Sequence, residues 1–207
     1  MSCDAYDPTL FSEKTAKKKK KFGANLRPPL RVTPEHDPSI PPAAFIETAI
    51  PGAWNGSRCL YLGAATDQFA YAKVLQYNCL IVDILDCAKA RCLLLRQSHR
   101  WVHDIIHGWF EFLPRYVIAD YDTVIWVDGP CIQTAERAKE TIRHCESLKP
   151  QRFIIVNELT PPNLPKDASP ADLRHSLWNA DDFLSLGFEV RMWPGGRGAV
   201  VAWKDCR

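Results

Sequence analysis

Four carboxylates, Asp83, Asp104, Asp128 and Glu158, each fall at the tip of a segment that reads as a strand. An acid on a strand tip can accept hydrogen bonds from ligand hydroxyls, or orient a nucleophile and take its proton. Ahead of them Leu60-Tyr61-Leu62 runs into the small-residue turn Gly63-Ala64-Ala65. That turn removes side chains where a backbone must approach something closely. Asp67 sits where it favours a helix N-terminus, and Phe69 to Leu75 has helical spacing. The run Cys79-Leu-Ile-Val-Asp83 then ends on a carboxylate twenty residues after Gly63. Together these make the layout of a nucleoside-binding βαβ unit, with a small turn near the ligand and an acid for ribose hydroxyls. The bland alternatives are a strand, turn and helix with no ligand, and a solvated loop acid at any one tip.

Other chemistry is less well supported. His99, His103 and His107 are spaced by four, which would align them on a helix, but the segment fits a strand and turn equally well. No acid or cysteine has matching spacing, so no metal is expected. The eight cysteines include no Cys-x-x-Cys pair and fall mostly in apolar positions, as buried reduced thiols do. Gly195-Gly-Arg-Gly198 reads as a hairpin turn, since no helix follows it to complete a phosphate cradle.

The elements that must position these residues alternate along the chain. A short helix over Ala43 to Ile50 ends at Pro51-Gly52. After the second strand a helix is expected from Asp86, as a cap, to Gln97. A third strand over His99 to Ile106 would end near Asp104, and a helix over Trp109 to Ala119 is crossed by Pro114. Thr123 to Asp128 is the clearest buried strand, followed by an amphipathic helix over Thr134 to Leu148 and a strand over Arg152 to Asn157. A proline-rich loop leads to a helix over Ala171 to Leu186. Phe188 to Trp193 and Ala199 to Trp203 then form a hairpin. Five βα units closed by a hairpin predict an α/β fold, its sheet mostly parallel and covered by helices on both faces.

A chain of 207 residues with 46% hydrophobic content is about one globular domain. No apolar stretch approaches the ~20 residues that span a bilayer, and the start lacks a signal-peptide core, so an intracellular protein, cytoplasmic or nuclear, is expected. The charge is uneven. Eight bases (Lys14, Lys17, Lys18, Lys19, Lys20, Lys21, Arg27, Arg31) against three acids give the first 31 residues a net +5. The whole chain carries +2, which leaves the remainder at −3. Residues 1–42, rich in proline, read as an extended basic arm; residues 43–207 form the folded domain. Such an arm could contact RNA or DNA phosphates, direct nuclear import, or simply keep the chain soluble.

This order of elements resembles the class I S-adenosylmethionine-dependent methyltransferases over about residues 43 to 204. The resemblance implies a Rossmann-like three-layer sandwich, with a seven-stranded sheet ending in the antiparallel hairpin. Tyr61-Leu-Gly-Ala-Ala65 is similar to the first motif of fibrillarin-like and related RNA 2'-O-methyltransferases, where small residues also replace the usual glycines. By resemblance, Gly63, Ala64 and Ala65 would lie beside the methionine part of the cofactor S-adenosylmethionine. Asp83 would take its ribose, and His103 with Asp104 would border the adenine. Asp128-Gly-Pro130 falls where the family places catalytic or substrate-positioning residues, with Glu158 a second catalytic candidate.

The chain also departs from the pattern. Tyr61 replaces the acid that commonly opens the first motif, and Asp67 and Gln68 replace later glycines. Asp67 could bond the cofactor's amino group or cap the helix. Of the Lys-Asp-Lys-Glu tetrad of the 2'-O-methyltransferases, Asp128 fits the aspartate, and Lys166 and Glu189 are loose candidates for others. The expected function is methyl transfer to RNA; the alternative is an inactive methyltransferase-like module that binds nucleic acid or a protein. A nicotinamide-dependent oxidoreductase is disfavoured by the hairpin and by the lack of Gly-x-Gly-x-x-Gly.

Overall fold

The computed structural model describes residues 41–63, 71–117, 119–158, 176, 178–195 and 198–207. The arm with Lys17 to Lys21, and Ala64, Ala65, Asp67 and Lys166, lie outside the described residues. Strands β1 (Gly56–Leu62), β2 (Cys79–Asp86), β3 (Asp104–His107), β4 (Thr123–Val127), β5 (Arg152–Glu158), β6 (Glu189–Trp193) and β7 (Ala199–Lys204) form one sheet. Its order is β3-β2-β1-β4-β5-β7-β6. Strands β1 to β5 are parallel, and β7 pairs antiparallel with both β5 and β6. This is the expected mostly parallel seven-stranded sheet with a terminal hairpin.

Both faces of the sheet are covered, which is why the central strands are apolar on both sides. Cys59, Tyr61, Ile84, Ile125 and Ile154 face a layer with Ile46 of α1 (Ala43–Ala49), Leu75 of α2 (Ala72–Asn78) and Leu95 of α3 (Lys89–Ser98). The alternate positions Leu60, Leu62, Leu85, Val124 and Ile155 face the other layer. It holds Leu113 of α4 (Leu113–Tyr116), Ile142 of α5 (Ala135–Ser147) and Phe183 of α6 (Ala180–Ser185). The chain runs outward from β1 to β2 and β3, then returns across β1 to begin β4. The switch point is therefore between β1 and β4, and the crevice such sheets use for ligands opens beyond their carboxyl ends.

Several boundaries differ from the sequence reading, each for a local reason. Strand β2 continues three residues past Asp83, because Ile84 and Leu85 supply further buried positions. Strand β3 begins at Asp104 rather than ending there, and the aromatic stretch before it is turn and loop. The helix expected over Trp109 to Ala119 divides into a 3₁₀ turn, Phe110–Phe112, and α4, with Pro114 in the first turn of the second piece. Helix α6 starts only at Ala180, where Asn179 accepts the Asp182 N–H at 3.1 Å and the Asp182 carboxylate accepts the Asn179 N–H at 2.8 Å. Helix α5 matches its expected span, with Thr134 capping it. No helix among the described residues is long and apolar enough to cross a membrane.

Candidate active site

The carboxyl edge is organised first by Gly63, which leaves β1 at φ 72°. Its N–H donates to Leu85 O at 3.0 Å. A Cβ there would make only ordinary contacts, 3.4 Å from Val127 O and 3.5 Å from the Phe110 ring, so it is the positive φ that asks for glycine. This is where the sequence reading placed the tight turn.

Beside it, β2 ends on Asp86, whose side chain is 1% exposed. Oδ1 accepts the Ala88 N–H at 2.7 Å and lies 3.7 Å from Arg91 Nε. Oδ2 is buried and has no hydrogen-bond partner among the described residues. Burial raises the Asp86 pKa above the usual carboxylate value, and the Ala88 N–H and Arg91 offset this only in part. A buried carboxylate oxygen with no donor is costly, and one at the rim of a ligand crevice is positioned to accept from a ligand hydroxyl.

Asp83, the acid expected in that role, sits elsewhere. It pairs with Leu60 and Asp104 in the interior of the sheet, three residues short of the edge. Both of its oxygens are occupied. Arg58 donates to Oδ2 from Nε at 2.9 Å and Nη2 at 2.7 Å, Tyr121 Oη donates to it at 2.9 Å, and His103 Nδ1 is 2.8 Å from Oδ1. Burial, then the adjacent Asp83 charge, push the Tyr121 phenol well up, so it stays a neutral donor. Asp104 opens β3, and His103 precedes it, at the same amino side. The expectation that Asp83, His103 and Asp104 share the cofactor edge is therefore corrected. They form a cluster on the far side of the sheet from Gly63, because β2 is longer than its first apolar run and β3 starts later.

Asp128 and Glu158 do share the carboxyl edge. Asp128 follows β4 with φ 51°, a strained conformation for a non-glycine residue. The Asp128 N–H donates to Val156 O at 2.7 Å, and Oδ1 accepts the Glu158 N–H at 3.1 Å. Cys131 Sγ lies 3.0 Å from Asp128 O. A Cβ at Gly129 would fall inside the Trp126 indole, so Asp-Gly is required here by packing as well. Tyr61 lies on β1 between Asp86 and Asp128, 1% exposed. Burial, and then the Asp128, Cys59 and Asp86 charges, raise its pKa well above the usual value, so a neutral phenol stands where the resembled motif commonly has an acid. Glu189 opens β6 opposite Trp203, at the amino side of the sheet, and does not join Asp128.

Among the described residues the three histidines do not converge here. His99 closes α3, His103 lies in a loop and His107 ends β3. Cys59 and Cys145 are buried thiols whose pKa burial raises, and burial pushes Cys92 up to about 11.

Neither a family model nor a curated protein matches the sequence. Solved structures do. An O-methyltransferase family protein from Burkholderia thailandensis superposes over 78% of this chain and 54% of its own, with TM-score 0.56 and 16% identity. Magnesium protoporphyrin IX methyltransferase from Synechocystis, with bound S-adenosylmethionine, gives 0.51 over 77% and 74% at 18% identity. The N-methyltransferase NodS from Bradyrhizobium japonicum gives 0.53 over 72% and 85% at 13% identity. The chain has the methyltransferase fold. It spans about half the length of the Burkholderia protein, and its identity to all three is low enough that the fold alone is shared.

Proposed function

We propose that the protein binds S-adenosylmethionine at the carboxyl edge between β1 and β2 and transfers its methyl group. One observation carries the reading: Asp86 Oδ2, buried and without a donor among the described residues, stands at the tip of β2 beside the positive-φ Gly63. These residues fit the cofactor, since a ribose hydroxyl supplies the donor Asp86 lacks and the missing Cβ at Gly63 lets a ligand approach. When bound, S-adenosylmethionine supplies a methyl group on a sulfonium, already electrophilic. The chain's task is then to align a nucleophile, receive its proton and exclude water. Asp128 is the group for the first two, because its backbone is held by Val156 O and Cys131 Sγ and its Oδ1 is aligned by the Glu158 N–H. Glu158 is the second carboxylate on the same rim.

RNA is the acceptor class we favour. The basic run Lys17 to Lys21 and the similarity of Tyr61 to Ala65 to the fibrillarin-like first motif support it. Without Glu189 nearby, the tetrad of the 2'-O enzymes has no support beyond Asp128, so the methylated atom is left open. Tyr61 favours the second reading, an inactive module, because a neutral phenol replaces the acid of the first motif. Calorimetry with S-adenosylhomocysteine, followed by transfer of labelled methyl to an RNA pool, tests the pair. Binding that is absent at millimolar ligand would leave the inactive module; binding and labelled RNA would establish the enzyme.

A further inference from the structure

On the amino side of the sheet, between the end of α3 and the start of β3, lies an open cleft of about 280 Å³. It is lined by Arg96, His99, Arg100, Val102, His103, Asp104 and Ile105. That volume is just below the ~300–1,000 Å³ of pockets for drug-sized ligands, and suits a smaller group. Two guanidiniums face one carboxylate, and Asp104 Oδ1 is already engaged by the Ile105 N–H at 2.8 Å. Arg96 is held in place by donating from Nη2 to Ile105 O, at 2.6 Å. His103 is held as well: its Nδ1 is fixed on buried Asp83, which Arg58 and Tyr121 also grip, leaving Nε2 as the nitrogen available to a ligand. Two of its donor groups, Arg96 and His103, are thus held by Ile105 O and buried Asp83, and donors fixed in this way favour an anion.

We propose that this cleft binds a phosphate group, with Arg96, Arg100 and His103 Nε2 as its donors. Guanidinium forks match phosphate oxygens in pairs, and the His103 ring can add a third donor through Nε2. His99, half-buried and with its pKa lowered by that burial, contributes as a neutral rim group beside Ser98 Oγ, 2.8 Å from its Nδ1. The phosphate is either free in solution or a phosphodiester of RNA. The site lies across the sheet from Gly63 and Asp86, so it anchors a ligand rather than presenting a reacting atom, and it stands independently of the methyl-transfer reading.

The test uses the full chain and follows the histidine ring protons by NMR while titrating inorganic phosphate or a single-stranded RNA oligonucleotide. His103→Gln assigns the resonance. A saturable shift of His103 is expected, weakened at least tenfold in Arg100→Glu and several-fold in Arg100→Ala, with S-adenosylhomocysteine affinity unchanged in both. Response to phosphate identifies the free ion as sufficient; response to RNA alone identifies the phosphodiester. No saturable shift with either probe, or an Arg100→Glu protein that responds to both like wild type, overturns the proposal.

Discussion

Asp83 and Asp86 stand three residues apart on β2, about 10 Å along the strand, and so point to opposite faces of the sheet. Both side chains are 1% exposed. Asp83 has Arg58, Tyr121 and His103 on its two oxygens, whereas Asp86 keeps one oxygen without a partner among the described residues. The first arrangement closes a charge network and ties β1, β2 and the segment before β4 together. The second leaves a desolvated acceptor at the crevice rim. A buried acid that is fully satisfied serves the fold, and one left short of a donor is available to a ligand.

Removing Asp83 should have the largest effect of any single change at these sites. Asp83→Ala strands the Arg58 guanidinium and the buried Tyr121 hydroxyl. Breaking a buried pair this way costs about 3–5 kcal/mol, here toward the lower end because the Arg58 side chain is 29% exposed. Urea denaturation should show it, with cofactor affinity of the remaining folded protein unchanged. A variant as stable as wild type that no longer binds S-adenosylhomocysteine would return the ribose role to Asp83 and undo the contrast.

Asp128 extends the comparison to a third carboxylate. Asp128→Asn keeps an oxygen for the Glu158 N–H and tolerates positive φ, so it removes charge while preserving the turn. Turnover should fall by roughly 10²–10⁴-fold, the usual scale for a missing acid–base group, with melting temperature and cofactor affinity nearly constant. A large drop in melting temperature instead would class Asp128 with Asp83, as a structural acid.

For Asp86 the expected loss is in binding. Asp86→Asn should weaken S-adenosylhomocysteine by about 1.5–3 kcal/mol, the worth of hydrogen bonds to a charged group, measured by calorimetry. The pH dependence has a definite sign. Because burial raises the folded-state pKa of Asp86, its contribution to stability is full below the unfolded value and is lost as pH rises through the folded one. The ionised side chain is thus a net cost at neutral pH, and Asp86→Asn should be at least as stable as wild type there. Ribose hydroxyls favour the ionised form, so wild-type affinity should rise with pH through the raised pKa while the variant's stays flat. Equal pH profiles for the two proteins would remove Asp86 from the ligand.

The confusion between the two acids shows what the sequence made legible. The alternation of strands and helices, the hairpin, the Gly63 turn and the edge position of Asp128 and Glu158 all follow from apolar runs and turn residues, whose signals are local. The end of β2 is not local. Ile84 and Leu85 extend the apolar run, but Asp86 followed by a helix also satisfies the pattern of a cap, and it does bond Ala88 N–H while closing the strand. Asp83 and Asp86 lie twenty and twenty-three residues after Gly63, so spacing alone does not choose between them. The choice is made by Arg58 and Tyr121, which reach Asp83 from twenty-five and thirty-eight residues away. The Trp101-Val102-His103 stretch misled for a related reason: its β-like composition serves a loop whose His103 is fixed by that same distant network.

The smallest expected effect separates the two edges by their ligands. If the basic arm engages phosphates, deleting residues 1–31 should reduce RNA affinity and flatten its dependence on salt. Each phosphate that the arm no longer neutralises lowers the slope of log affinity against log salt by ~0.7 for a single strand. The same deletion should leave S-adenosylhomocysteine binding intact, because the proposed site at Gly63 and Asp86 lies outside the arm and would recognise its ligand by short hydrogen bonds rather than long-range charge. The measurement is RNA binding by both proteins across a salt series. A full-length slope steeper by about two or more would place several arm lysines on phosphates, leaving the Arg96 and Arg100 cleft as one residual phosphate site. Identical slopes would mean that the arm touches no phosphate, and the salt dependence that remains would then have to come from the folded domain, whose own net charge is negative outside such basic clefts.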